Sequence, residues 1–312
     1  MIEDLLSNPS KRKRLTSRFL FFFLAAVAAF TPTVSNAQNE DDEVRVDSSI
    51  VILNASIKDG SGRHVSGLAR GQFRVFEDGV EQPIEIFSAE ETPFAAVILL
   101  DTSGSMEERV SLARSAAIRF LDGLRPEDNV AIYKFDSKVD LVQEFSNSRD
   151  IAPTIFDVKA QGMTRMNDAI YDAVVQLSKR PEKRRAIVVL SDGQDNFSKR
   201  SSDKVLKAAL DADVVIYTVD MAPIGDSKRV QNQGPLKNFA NKTGGTFVST
   251  PGGAALRDAF AKIVEELGVQ YTIGYSPQNS NKDGKWRKIE LRVAKPGLTI
   301  RTREGYTAEK AK

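Results

Sequence analysis

Ala95-Ala-Val-Ile-Leu-Leu-Asp101-Thr-Ser103-Gly104-Ser105 decides how the rest of the chain is read. An unbroken apolar run, bounded by Pro93 before it and a polar turn after it, predicts a strand buried on both faces of a parallel sheet. The turn then falls at the strand's carboxyl end, where open α/β sheets bind their ligands. One carboxylate and two hydroxyls at alternate positions can converge there, and Gly104 relieves the crowding of the backbone. Oxygen donors of this hardness suit Mg²⁺, Mn²⁺ or Ca²⁺. Alone, however, the pattern reads more readily as helix capping, because Ser and Asp abound in strand-to-helix turns.

Two later segments shift that balance. Gly162-Met-Thr164-Arg-Met-Asn167-Asp168 opens a helix with Thr164 in its leading loop, and Ile187-Val-Val-Leu-Ser191-Asp192-Gly193 repeats the pattern of buried strand followed by an acid. Three oxygen-bearing loops are thereby predicted to meet at one sheet edge. In this order and spacing, residues 93–267 resemble a von Willebrand factor type A domain. The metal-ion-dependent adhesion site of that family combines D-x-S-x-S with a later Thr and a later Asp. The resemblance implies that Ser103, Ser105 and Thr164 bind the metal directly, while Asp101 and Asp192 act directly or through water. It leaves one metal position for a Glu or Asp carboxylate of a partner protein, and a compact six-oxygen shell favours Mg²⁺ over Mn²⁺ or Ca²⁺. Met163 departs from the pattern, since many relatives have a second glycine before the threonine.

The intervening elements alternate as a Rossmann-like, doubly wound, mostly parallel sheet requires. Val110, Ala113, Ala117, Leu121 and Leu124 recur at helical spacing and mark a buried helix face rather than a cofactor box. Residues 129–135 and 139–145 predict a hairpin that holds the sheet's one antiparallel edge strand. A helix is expected over 168–177. The segment from Met221 to Gly234 reads as a loop, with a helix from Leu236 ended by Gly244-Gly245 and a last helix over 254–267.

Both flanks read as β structure. Residues 48–93 carry short alternating strands joined by turns such as Asp78-Gly79, and residues 268–306 carry a second set. Each set alone has unprotected edges and half a core, so the two are expected to join in a small β-sandwich-like domain with residues 94–267 inserted in it. The closing Arg303-Glu-Gly-Tyr306 resembles that of bacterial secreted relatives, and residues 307–312 read as a tail. Of Tyr271, Tyr275 and Trp286, the strand pattern places some in the β core, and a core role is preferred to a sugar-binding surface.

Residues 1–37 read as a secretory signal. Lys11-Arg-Lys-Arg14 and Arg18 precede twelve apolar residues, Phe19 to Phe30, and Ser35-Asn-Ala37 supplies small residues for cleavage. Twelve residues fall short of the roughly twenty that span a bilayer, so no stable membrane span is expected after cleavage. Residues 38–47 form a polar, acidic, mobile start. Removing residues 1–37 takes five basic and two acidic side chains away, so 39 basic stand against 40 acidic in the remainder. That near-neutral balance argues against nucleic-acid binding. The absence of cysteine excludes disulfides, thiolate catalysis and Cys-ligated zinc. These features fit a secreted, periplasmic or envelope protein.

Catalysis finds little support in the residues. Asp101 at a strand end is placed like the nucleophile of metal-assisted phosphoryl transfer, but the position of a second acid, two residues on, holds Ser103. There is no Walker loop, Ser-His-Asp set or zinc motif, and His64 stands alone in a turn, as an exposed structural residue. Asp195 reads as a turn or helix-entry residue. The expected function is that of a non-enzymatic, metal-dependent protein-interaction module. A scaffold with a degenerate site is the remaining alternative, against which five ligand-type residues argue.

Overall fold

The computed structural model describes residues 50–89, 91–150, 153, 155, 159–222, 229–249 and 253–310. The signal and acidic segments read in residues 1–47 lie outside them, as do residues 223–228 of the loop read over 221–234. All described residues belong to one unit, Asp47–Lys312. Its elements are β1 (Val51–Lys58), β2 (Phe73–Glu77), β3 (Val80–Gln82), β4 (Ile86–Ser88), β5 (Phe94–Asp101), α1 (Val110–Asp122), β6 (Asn129–Phe135), β7 (Val139–Ser146), α2 (Met166–Leu177) and β8 (Arg184–Ser191). They continue with α3 (Ser202–Asp211), β9 (Val214–Asp220), α4 (Arg229–Thr243), β10 (Phe247–Ser249), α5 (Gly253–Gly268), β11 (Tyr271–Tyr275), β12 (Trp286–Val293), β13 (Thr299–Arg301) and β14 (Gly305–Thr307).

Every residue of β5 is buried, as its unbroken apolar run requires. The period of two then divides it between two cores. Phe94, Ala96, Ile98 and Leu100 pack with α1 and α5, while Ala95, Val97 and Leu99 pack with α2, α3 and α4. The stripe from Val110 to Leu124 is buried in the first of these cores. The sheet runs β10-β9-β8-β5-β6-β7, parallel throughout except for the β6–β7 hairpin at one edge. Fully burying a Val, Leu, Ile or Phe side chain contributes roughly 1.5–3 kcal/mol, so this doubly covered strand is a main source of stability.

Strands from the two flanks pair with each other. β1 lies antiparallel to β11 and β2 antiparallel to β12, giving two four-stranded sheets, β13-β1-β11-β4 and β14-β12-β2-β3. Their inward residues, among them Leu53, Phe73, Val75, Tyr271, Tyr275 and Leu291, form one hydrophobic cluster. Phe73 and Tyr271 pack against each other with ring centroids 5.0 Å apart and their planes tilted by 49°. Among the described residues, no helix is long and apolar enough to cross a membrane.

Several local expectations are corrected. α4 begins at Arg229, not Leu236, and carries Pro235 in its interior. A proline there removes one helical hydrogen bond and costs about 3 kcal/mol in isolation. Tertiary contacts override it: Gln233 Nε2 donates to the buried Asp220 at 2.7 Å, and Leu236 O accepts from Thr218 Oγ1 at 3.0 Å. The end of α4 follows expectation, with Gly244 at φ +85° and the Gly245 N–H donating to Ala240 O at 2.9 Å. The three-residue strands β10 and β14 carry too little pattern to be seen in sequence. Trp286 is not in the core. It faces outward, 42% exposed, because β12 alternates from an exposed first residue. His64 is half-buried rather than exposed, in a bridge to Lys58.

One flanking sheet, β13-β1-β11-β4, is riveted to α5. Glu266 on α5 is buried and pairs with Lys58 Nζ at 3.0 Å and with Arg301, and it accepts from Tyr217 Oη at 2.9 Å. Burial alone pushes its carboxyl up, but Arg301 and Lys58 outweigh burial and hold it below the ordinary value of 4.5. A depressed folded-state value means stability fully present above the unfolded value and lost as pH falls through the folded one. Glu266→Gln is therefore expected to cost about 2–3 kcal/mol at neutral pH, since two partly exposed cations lose their partner. Urea unfolding at a series of pH values should show the gap from wild type closing below pH 4.5. A gap that stays constant into acid would mean that Glu266 acts by packing alone.

Candidate metal centre

β5 delivers Asp101 to the carboxyl end of the sheet, fully buried. Ser103 donates to its Oδ1 twice, from the backbone N–H at 2.9 Å and from Oγ at 2.6 Å. Ser191, which follows Leu190 out of β8, donates from Oγ to Oδ2 at 2.5 Å. The Ser103 and Ser105 hydroxyls lie 3.2 Å apart, and Ser105 is exposed to solvent. Thr102, between Asp101 and Ser103, turns inward, its N–H and Oγ1 both donating to Phe135 O, while Ser103 is buried with Asp101 and Ser105 alone of the two serines reaches solvent. A single 3₁₀ turn, Gly104–Met106, anchored by the buried Met106, starts the return toward α1.

The second loop lies against the first. Gln161 N–H donates to Thr102 O at 2.7 Å, and Gly104 N–H donates to Gly162 O at 3.1 Å. This brings Thr164, itself buried, into the same region. The third loop holds Thr164 in place, since Asn196 Oδ1 accepts from the Thr164 N–H at 3.0 Å. The Thr164 carbonyl in turn accepts from the N–H groups of Asn196 and Phe197, at 3.2 and 3.0 Å. Met163 leaves this path intact, its N–H donating to Ser137 Oγ at 3.0 Å.

Asp192 is buried at the head of the third loop, where the Gln194 backbone and side chain each donate to it at 3.0 Å. Gly193 follows at φ +83°, and a Cβ there would stand 2.1 Å from Asn232 O of α4. Glycine is therefore needed for both conformation and space. Asp195 serves structure: it accepts from Asn167 N–H at 2.9 Å, at the start of α2, and from Ser198 N–H at 3.1 Å.

The electrostatics of Asp101 set this edge apart. Burial pushes its carboxyl up to about 7; the hydrogen bonds from Ser103 and Ser191 oppose that, and the Asp192 charge raises it further. A buried carboxylate beside a second carboxylate, surrounded by neutral hydroxyls, suits a hard divalent cation by donor chemistry. Among the described residues there is no cluster of three or more His, Cys, Asp and Glu that could hold a metal, so an ion at this edge depends on hydroxyl donors.

Of the five residues singled out in sequence, Asp101, Ser103 and Ser105 are joined directly. Asp192 is near enough to act on Asp101 electrostatically, and Thr164 is tied in through backbone contacts of its loop and through Asn196. Ser191 and Asn196 were not anticipated. Ser191 reaches Asp101 through the strand register: Leu100 pairs with Leu190, so the next residues, Asp101 and Ser191, emerge side by side.

Residues 96–262 match the von Willebrand factor type A domain. The chain is 28% identical over 160 residues to an uncharacterized protein of Synechocystis sp., covering 50% of this chain and 37% of that protein. It is 26% identical over 129 residues to inter-alpha-trypsin inhibitor heavy chain H3 of Bos taurus, covering 36% and 14%. It thus spans well under half the length of either relative. Among solved structures, von Willebrand factor type A from Catenulispora acidiphila is similar with a TM-score of 0.48 and 15% identity, over 82% of this chain and 73% of that one. Since the domain match takes in more than half of its residues, the chain belongs to the von Willebrand factor type A domain family.

Proposed function

We propose that the protein is an exported, metal-dependent interaction module that binds a Glu or Asp carboxylate of a partner protein. Domains of this family typically serve as interaction modules without catalysis. The observation that carries the reading is the buried Asp101 carboxylate, held by Ser103 and Ser191 next to Asp192. In this reading Ser103, Ser105 and Thr164 hold Mg²⁺, or Mn²⁺ or Ca²⁺ in its place, and Asp101 and Asp192 contribute directly or through water. The bound cation supplies a positive point that pairs with an incoming carboxylate. The chain's own part is to preorganise the donors. Neutral hydroxyls leave much of the ion's charge uncompensated, and the hydrogen bonds to Asp101 fix the first loop in advance. Residues 48–93 and 268–306 are proposed to act as one β domain that carries the inserted residues 94–267, and residues 1–37 to direct export.

The test is water-proton relaxation with Mn²⁺ as probe. Saturable enhancement on adding the full chain, competed by Mg²⁺ and reduced by glutarate, is the expected result. Chelation should abolish it while circular dichroism stays unchanged. No enhancement at any Mn²⁺ concentration would refute the metal reading.

A further inference from the structure

We infer that the metal face carries an apolar subsite, built from Met163 and Phe197, which takes a large apolar side chain standing next to the coordinating acid of the partner protein. The inference rests on the function proposed above and narrows the partner's chemistry.

Single exposed apolar side chains are ordinary on a soluble surface. Here two of them are tied to one candidate ligand. Met163 and Phe197 are 51% and 48% exposed. Met163 immediately precedes Thr164, and the Phe197 N–H donates to Thr164 O at 3.0 Å. Arg165, on the other side of Thr164, completes the set. Its Nε donates to Phe197 O at 3.2 Å, and its Cζ lies 5.1 Å from the centroid of the Phe197 ring. An arginine stacked in this way holds the ring in place. A third apolar side chain, Val230, is 81% exposed in the first turn of α4, the helix whose Asn232 carbonyl packs on Gly193 beside Asp192. Apolar side chains therefore flank the loops of both Thr164 and Asp192.

The chemistry of the site requires such neighbours. Any surface Asp or Glu offers the same carboxylate, and Mg²⁺ gives up its water reluctantly, so coordination alone selects poorly. Selectivity then falls to the side chains beside the acid, and buried aromatic and methionine contacts are effective at this. Of the cations at the rim, Arg165 is already paired with Asp168 at 3.4 Å, and the exposed Lys199 favours an acidic segment over a basic one. The occupant so described is a protein segment in which a large apolar residue adjoins the acid.

The probes are two labelled, end-blocked peptides, Gly-Gly-Phe-Glu-Gly-Gly and Gly-Gly-Gly-Glu-Gly-Gly, titrated with the full chain in Mg²⁺ and read by fluorescence anisotropy. The Phe-Glu peptide is expected to bind about tenfold tighter, which is about 1.4 kcal/mol. Phe197→Ser combined with Met163→Gly should remove that preference without changing Mg²⁺ affinity by calorimetry, and Phe197→Leu should keep most of it. Equal binding of the two peptides, or a preference that survives the double variant, overturns the inference and leaves the metal reading standing. If the wild-type chain self-associates in sedimentation and the double variant does not, the patch serves a second copy, which also overturns it. Absence of Mg²⁺ binding in every variant removes the underlying reading and the inference with it.

Discussion

Asp101→Ala is expected to abolish saturable Mg²⁺ binding and, with it, all metal-dependent stabilisation. The physical reason lies in the position of the side chain. Asp101 is buried at the sheet edge and positions Ser103 through two hydrogen bonds, so its loss removes both a negative charge and the template for a neighbouring hydroxyl. A wild-type chain at one hundred times its Kd for Mg²⁺ gains about 2.7 kcal/mol of stability by mass action, and the variant gains none. Differential scanning calorimetry with and without Mg²⁺ measures this directly. Asp101→Asn separates charge from shape. It keeps one acceptor oxygen, for Ser103, and turns an amide donor toward the Ser191 hydroxyl, which can accept; in metal-free buffer it should unfold no earlier than wild type, because a buried carboxylate without a counter-charge disfavours the folded state. A variant that still gains stability from Mg²⁺ would place the ion elsewhere.

Arg184→Ala is expected to cause the largest loss of stability, about 3–5 kcal/mol, while leaving Mg²⁺ affinity unchanged at temperatures where the variant is folded. Arg184 opens β8 at the sheet edge opposite the metal centre and is fully buried. Its guanidinium donates to Leu267 O at 3.3 Å and Gly268 O at 2.8 Å, the last carbonyls of α5, and also to Gln270 O and the Thr272 hydroxyl. These carbonyls have no helical partner, and the negative end of the helix dipole favours a cation there. Burial pushes the Arg184 pKa down to about 10, so the group stays charged at neutral pH. Arg184→Lys should recover only part of the loss, since an ammonium cannot reproduce the planar fork. Chemical denaturation of the three proteins provides the comparison. A loss below about 1 kcal/mol for Arg184→Ala would show that water replaces the guanidinium at no great cost.

The sequence by itself determined the features that local pattern encodes. An unbroken apolar run sufficed to place β5 in the middle of a doubly covered sheet, because burial on both faces leaves no polar alternation. Alternating runs and Asp78-Gly79 marked the flanking strands, and the helical stripe of α1 marked its buried face. The candidate site was legible for a related reason: short oxygen-bearing side chains directly after buried strands can only emerge at the sheet's carboxyl edge.

Only the tertiary structure decided what depends on partners distant in the chain. Arg184 meets carbonyls more than 80 residues away, and nothing in the local pattern distinguishes it from an exposed strand-end arginine. The early start of α4 across Pro235 rests on Asp220 and Thr218, which a window around the proline does not contain. Whether Trp286 faced the core or solvent was a matter of register, which in a strand turns on one residue. The same holds for Ser191, which reaches Asp101 because the parallel neighbours β5 and β8 end side by side, and for Asn196, which meets Thr164 across two loops. Periodicity specifies which face of an element is apolar; which residues meet across elements is set by packing alone.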